Sequence, residues 1–196
     1  MSDADLVMDV LKNRRSVRKY KKEKIPSALM EKILDAGRWA PSAHNLQPWR
    51  FIVIDNADVI NNIRKIMQGK ERDLFAGFNV VMRETAKCLE TCPFLIAIYG
   101  NGGVQNKLAR LDEPYAGIGR LYEIQSVSFA AYGMMLYAHS IGLGSACLGV
   151  SLFCEKEIND LINQKGNLIA LLSMGYPDEV GEVKTRKPVS EISAFI

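Results

Sequence analysis

Arg14-Arg15-Ser16-Val17-Arg18-Lys19-Tyr20, followed by Ala40-Pro41-Ser42-Ala43-His44-Asn45-Leu46-Gln47-Pro48-Trp49-Arg50-Phe51-Ile52-Val53, is the stretch from which the rest of the chain is read. Its first part packs four cations, Arg14, Arg15, Arg18 and Lys19, around the hydroxyl of Ser16. Alone, such a run reads as a solvated basic face. The second part is a Pro-bracketed loop rich in hydrogen-bonding side chains, Ser42, Asn45 and Gln47, that runs into an apolar strand. Alone, it reads as a turn. Together, a cationic anchor and a polar loop suit a ligand with a phosphate tail and a flat polar head.

Working outward, Asp3 or Asp5 can cap a first helix with Leu6, Val7, Val10 and Leu11 as its apolar stripe, ending near Asn13. Pro26 and Ser27 open a second helix with Leu29, Ile33 and Ala36 on one face, stopped by Pro41. Residues 50–54 read as a strand, then Asp55-Asn56 as a turn. A third helix runs from about Ala57 to Met67, with Val59, Ile60, Ile63 and Ile66 inward. The charged mixture at 69–91 gives no sharp assignment. Cys92 to Tyr99 reads as a buried strand ended by Gly100. Residues 100–117 hold four glycines and read as a loop or lid. A last apolar strand runs from Asn167 to Met174, closed by Gly175-Tyr176-Pro177.

No Asp, Glu, Lys or Arg occurs between Glu123 and Glu155. Ile124, Val127, Ala131, Met134 and Ala138 repeat at helical spacing, with Phe129, Tyr132 and Leu136 on the other faces. A helix apolar nearly all round is either a membrane span or deeply buried. Ser126, Ser128, Gly133, His139 and Ser140 interrupt the roughly 20 apolar residues that a span requires. A core helix is the expectation, with a second subunit covering one face. Helices outnumber strands and tight hairpins are missing. That predicts an α+β fold, with a central sheet flanked by helices, in one domain spanning 1–196.

The chain has 196 residues, 48% of them hydrophobic, with a net charge of +3. That supports a packed core and argues against a polyanionic partner, so no nucleic-acid binding is expected. The first ten residues lack a basic segment followed by a long apolar one, so the chain is expected to be cytoplasmic, away from the membrane. Cys88, Cys92, Cys147 and Cys154 are then free thiols. Cys88-x-x-x-Cys92 has neither a second pair nor a nearby His to complete a metal site, so no metal is expected. There is no G-x-S-x-G elbow, no P-loop and no G-x-G-x-x-G after a strand.

Arg14-x-Ser16-x-Arg18, a second helix, then Ala40-Pro41-Ser42-x-x-Asn45-x-Gln47-Pro48-Trp49 and a strand resemble, in order and spacing, the FMN-dependent nitroreductase family. SIGLGSACLGV at 140–150 and Lys184-x-Arg186 extend the resemblance along the chain. It implies a mostly antiparallel sheet flanked by helices, in a homodimer with long central helices at the interface. It implies FMN as cofactor, and NADH or NADPH as a transient hydride donor for a small planar acceptor such as a nitroaromatic or quinone. Arg14, Arg15 and Ser16 would face the phosphate together with Lys184 and Arg186, where Arg can bind bidentately. Arg18 would stand at the flavin N1–O2 edge, where reduction places negative charge. Pro41, Ser42, Ala43 and Asn45 would lie against the ring from the opposite subunit, with Gln47 holding their loop. Leu148 and Gly149 would bring backbone close to flavin N5. No side chain is expected to be catalytic, since the flavin carries the chemistry. Two rivals follow on the same scaffold: a specialised enzyme for reductive dehalogenation or flavin cleavage, and a flavin carrier or sensor without reductase activity.

Overall fold

A computed structural model describes residues 2–75, 77–103, 106 and 115–196. Helix α1, Asp3–Asn13, is capped by Ser2, whose hydroxyl accepts from the Asp5 amide while the Asp5 carboxylate accepts from the Ser2 amide. The expected caps, Asp3 and Asp5, therefore sit inside the first turn. There they meet the positive end of the helix, and Asp5 completes the capping box. The α1 stripe buries nothing: Leu6, Val7 and Leu11 are exposed.

Helix α2, Ser27–Arg38, ends before Pro41, with Ala40 already in a turn whose amide reaches the Gly37 carbonyl. Its buried face is Met30, Ile33 and Gly37, with the expected Leu29 and Ala36 half-buried beside them and Leu29 packed against the core. Both Gly37 and Ala36 meet the long helix Tyr115–Ser140: a Cβ on Gly37 would overlap the Met134 side chain, and one on Gly133 would lie 3.2 Å from the Ala36 carbonyl oxygen.

Strand β1, Trp49–Ile54, leads through Asn56, which caps α3, Ala57–Lys70. Helix α4, Phe78–Cys88, fills the stretch that the sequence left unassigned, after a short 3-10 turn at Glu71–Asp73. Strand β2, Phe94–Gly100, is buried throughout. The expected loop or lid at 100–117 falls mainly on 104–105 and 107–114, outside the described residues. Helix α5, Tyr115–Ser140, is followed by β3, Gly144–Cys147, a 3-10 turn at Gly149–Cys154, and α6, Glu155–Leu161. Strand β4, Asn167–Gly175, and a short α7, Val189–Ile192, complete the order.

The four strands form one antiparallel sheet in the order β1-β2-β4-β3. Both faces are covered, which is why β2 reads as a continuous apolar run. Leu95, Ala97 and Tyr99 point toward α3, α4 and α6, and Phe94, Ile96 and Ile98 toward α2 and α5. The β2–β4 register shifts between Ile98 and Tyr99, where Ile169 has no partner across the ladder, so Leu168 and Leu171 share one face. On the other side Val127, Ala131, Met134 and Ala138 of α5 are buried as expected, whereas Ile124 reaches the surface. Each fully buried Ile, Leu or Met in these layers contributes about 1.5–3 kcal/mol. Phe129 and Tyr132, on the far side of α5, are exposed, beside an apolar groove lined by Leu6, Val7, Val10, Gly133 and Leu136.

Candidate functional site

The cationic segment 14–21 is held in an extended path between the β3 edge and the chain leaving β4. Val17 donates to the Ser145 carbonyl at 3.0 Å, Lys21 to Tyr176 at 2.9 Å, and Asp178 to Lys19 at 2.9 Å. Tyr20 pins it from below: its hydroxyl lies 2.5 Å from the Val17 carbonyl and 2.7 Å from Ser173 Oγ in the sheet. Desolvation holds that phenol well above the ordinary tyrosine range, so it stays protonated. Gly144 makes the close pass possible, since a Cβ there would lie 2.7 Å from Val17 Cβ.

Extended backbone sends neighbouring side chains to different places. Arg14 and Arg15 line a cavity of about 450 Å³ together with Val17, His139 and Ser145. Arg14 Nη1 and Arg15 Nε are buried with no hydrogen-bond partner. Arg15 Nη1 is occupied, donating to the carbonyls of Lys12 and Arg14. Ser16 and Arg18 line an adjoining cavity of about 530 Å³ with Lys19, Lys87 and Thr91. Glu179 borders both cavities, and its carboxylate accepts the Arg18 amide at 2.6 Å.

A buried guanidinium nitrogen without an acceptor costs about 1–3 kcal/mol in desolvation. Two such nitrogens, on arginines that line one cavity, suit an anion with several oxygens. Lys184 and Arg186 are both exposed and line neither cavity. Lys184 pairs with Glu182 at 2.6 Å, and Arg186 donates to the carbonyls of Lys184 and Thr185. What does meet the cationic segment is the chain just before them, where Lys19 pairs with Asp178 at 3.1 Å.

Pro41, Ser42, Ala43 and Asn45 lie elsewhere, on the N-terminal half of α5. Ala43 donates to Ser126 Oγ at 3.3 Å, and Gln47 donates to Ser42 Oγ at 3.0 Å. Gln47 Nε2 also reaches Asn45, so it braces the loop. His44, Asn45 and Gln47 all adopt positive φ, at 50°, 54° and 45°. Backbone of this kind costs of order 1 kcal/mol or more per non-glycine residue, and such strain concentrates at ligand-contacting loops. Leu148 is buried and donates to the Leu171 carbonyl at 2.8 Å, while a Cβ on Gly149 would meet nothing within 4 Å. The backbone at Gly149 is therefore open to a close-lying group.

His139, Ser126 and Glu179 went unassigned in the sequence. His139 sits in a run read as buried helix, and only the docking of α5 beside Arg14 gives it a role. Among the described residues no cluster of His, Cys, Asp or Glu is placed to hold a metal ion, and no helix is long and apolar enough to cross a membrane. All four cysteines are free.

Fold and site together define an α+β protein with an anion-ready cationic edge and a strained polar loop. The nitroreductase family profile matches residues 11–176, and the chain belongs to that family. It is 26% identical over 193 residues to a Bacillus subtilis protein provisionally named NAD(P)H nitroreductase YfhC, covering 95% of this chain and 92% of that one. It is 25% identical over 198 residues to an iodotyrosine deiodinase of Thermotoga neapolitana, covering 95% of each. Among solved structures, a BluB-like flavoprotein from Clostridium difficile 630 matches with a TM-score of 0.77 and 26% identity, over 97% of this chain and 98% of that one.

Proposed function

We propose that the chain is an FMN-dependent oxidoreductase that takes hydride from NADH or NADPH and passes it to a small planar acceptor, a nitroaromatic or a quinone. The observation that carries this is the pair of buried, partnerless guanidinium nitrogens on Arg14 and Arg15. They suit a phosphate, and Ser16 and Arg18 follow in the adjoining cavity toward a ring. Bound FMN would supply the two-electron chemistry. Arg14 and Arg15 would hold its phosphate, with Ser16 approaching from the adjoining cavity and Lys184 and Arg186 drawn in from the exposed tail. Arg18 would present a cation at the ring edge, and Leu148 and Gly149 an open stretch of backbone.

We further propose a homodimer with shared sites. Ala43 is tied to Ser126 and Arg14 is grouped with His139, thirteen residues further along α5, which is on the order of 20 Å at 1.5 Å per residue. The 41–45 loop of one chain is thus far from its own cationic segment and free to serve another's. The exposed apolar residues Leu6, Val7, Phe129 and Tyr132 supply surface for such an interface.

The purified protein is expected to be yellow, with one FMN per chain, and anaerobic NADH or NADPH should bleach it within seconds. Colourless protein that takes up no FMN refutes the assignment, and flavin that resists bleaching leaves a carrier. A second reading, reductive dehalogenation on the same scaffold, is supported by the full-length similarity to an iodotyrosine deiodinase. Release of halide from a halogenated phenol, with no nitroaromatic reduction, would select it.

A further inference from the structure

The cavity lined by Arg14 and Arg15, each with a buried partnerless nitrogen, has a third potential cation on its wall. His139 lies in the last turn of α5, half-buried, where the negative end of the helix favours positive charge. Four charged groups face it. Arg14 and Arg15 come from the cationic segment, Asp9 from α1, and Glu179 from the chain after β4 lines the same cavity. Glu179 is already engaged by the Arg18 amide. Burial first, then the Arg14 guanidinium, hold the imidazole below its ordinary range; Arg15 adds to this and Asp9 opposes it. With no anion present, burial and the two arginines therefore disfavour the protonated imidazole.

We propose that His139 is a phosphate-binding residue of this cavity, neutral when no anion is present and protonated when a phosphomonoester sits between it and Arg14. This rests on the FMN reading above. A dianion beside the imidazole reverses the local field, and an opposite charge within about 4–6 Å favours the charged form. Binding then takes up a proton. The complex holds one more proton than the separated partners at pH values between the depressed value of the free imidazole and its raised value in the complex. In that window affinity falls as pH rises. Below about pH 6 the phosphate itself takes up a proton, which sets the lower limit of the usable range.

The test uses flavin-stripped full-length protein titrated with FMN and with riboflavin at pH 6.5 and 8.5. The parent is compared with His139→Gln and His139→Lys. The parent should bind FMN about tenfold more tightly at pH 6.5 than at 8.5, the scale of one charge-assisted hydrogen bond. His139→Gln should bind like the parent at pH 8.5 and lose the gain at 6.5. His139→Lys should bind tightly at both values. Riboflavin, which has no phosphate, should respond to none of these changes. Calorimetry of the parent in two buffers of different ionisation enthalpy should show net proton uptake with FMN, a measurement independent of how the variants fold. Superimposable pH profiles for parent and His139→Gln, or no proton uptake, overturn the role of His139 while leaving FMN binding intact. Riboflavin binding as tightly as FMN at both pH values overturns the phosphate cavity and His139 with it.

Discussion

Arg14→Ala should weaken FMN binding and leave the flavin-free protein at least as stable as before. In the free chain Arg14 Nη1 is buried without an acceptor. Removing it relieves a desolvation cost of about 1–3 kcal/mol, offset in part by lost packing of the aliphatic stem. The net change in unfolding free energy should lie between zero and a gain of about 1 kcal/mol. With phosphate bound, the same nitrogen makes a charge-assisted contact of about 1.5–3 kcal/mol. FMN affinity should then drop by about tenfold to a hundredfold, while riboflavin affinity stays put. Urea unfolding of flavin-stripped protein reads the first quantity, and flavin-fluorescence titrations read the second. A loss of more than about 1 kcal/mol of stability in the stripped variant would refute the reasoning, because Arg14 would then be a structural residue. So would equal losses for FMN and riboflavin.

Gly144→Ala should destabilise the protein by about 1–3 kcal/mol in urea, because the new methyl meets the branched Cβ of Val17 at 2.7 Å and the segment behind it must move. Ser126→Ala removes the acceptor for the Ala43 amide and should cost about 0.5–1.5 kcal/mol, with faster hydrogen exchange confined to residues 42–47. Burial raises the Cys92 and Cys154 thiols from an ordinary value of 9.0 to about 12 and about 11. The folded state therefore holds these protons after the unfolded chain has lost them. The contribution of these two thiols should be constant below about pH 9 and stability should fall above it, by up to about 1.4 kcal/mol per pH unit for each thiol, and less steeply in Cys154→Ala. Sedimentation should find a dimer that Tyr132→Asp dissociates with loss of flavin; a flavin-loaded monomer in the parent at micromolar concentration would contradict the shared site.

Much of this molecule is legible along the chain. The strands at 49–54, 94–100 and 167–175 are apolar runs bounded by Pro, Asn and Gly, and α3 declares itself through its Val59, Ile60, Ile63 and Ile66 stripe, of which Ile60 and Ile63 are buried and Val59 and Ile66 partly so, while the Asn56 cap and the buried Met67 emerge only in the structure. Helix α4 does not. It starts at Gly77, which offers no side-chain cap, and its buried Met82, Thr85, Ala86 and Cys88 are masked by exposed Phe78, Val80 and Val81. The face of α2 is read only in part: Ile33 is buried and Leu29 and Ala36 are half-buried, but the fully buried Met30 and Gly37 escape notice, Gly37 because it has no side chain to count in an apolar stripe.

Local chemistry decided the elements and the residue types of the site, because periodicity, caps and turn residues act within a few positions. The sequence by itself therefore determined a helix-flanked sheet, a cationic segment at 14–19 and a polar loop at 41–47. Tertiary structure alone decided what stands beside what. The antiparallel β3–β4 pair carries residues 176–181 back along residues 14–21, bringing Glu179 to Arg18 across most of the chain. Docking of α5 sets His139 against Arg14, and holds the polar loop a helix-half away at Ser126. These neighbours are joined by sheet register and helix packing, which pattern over a few residues cannot encode.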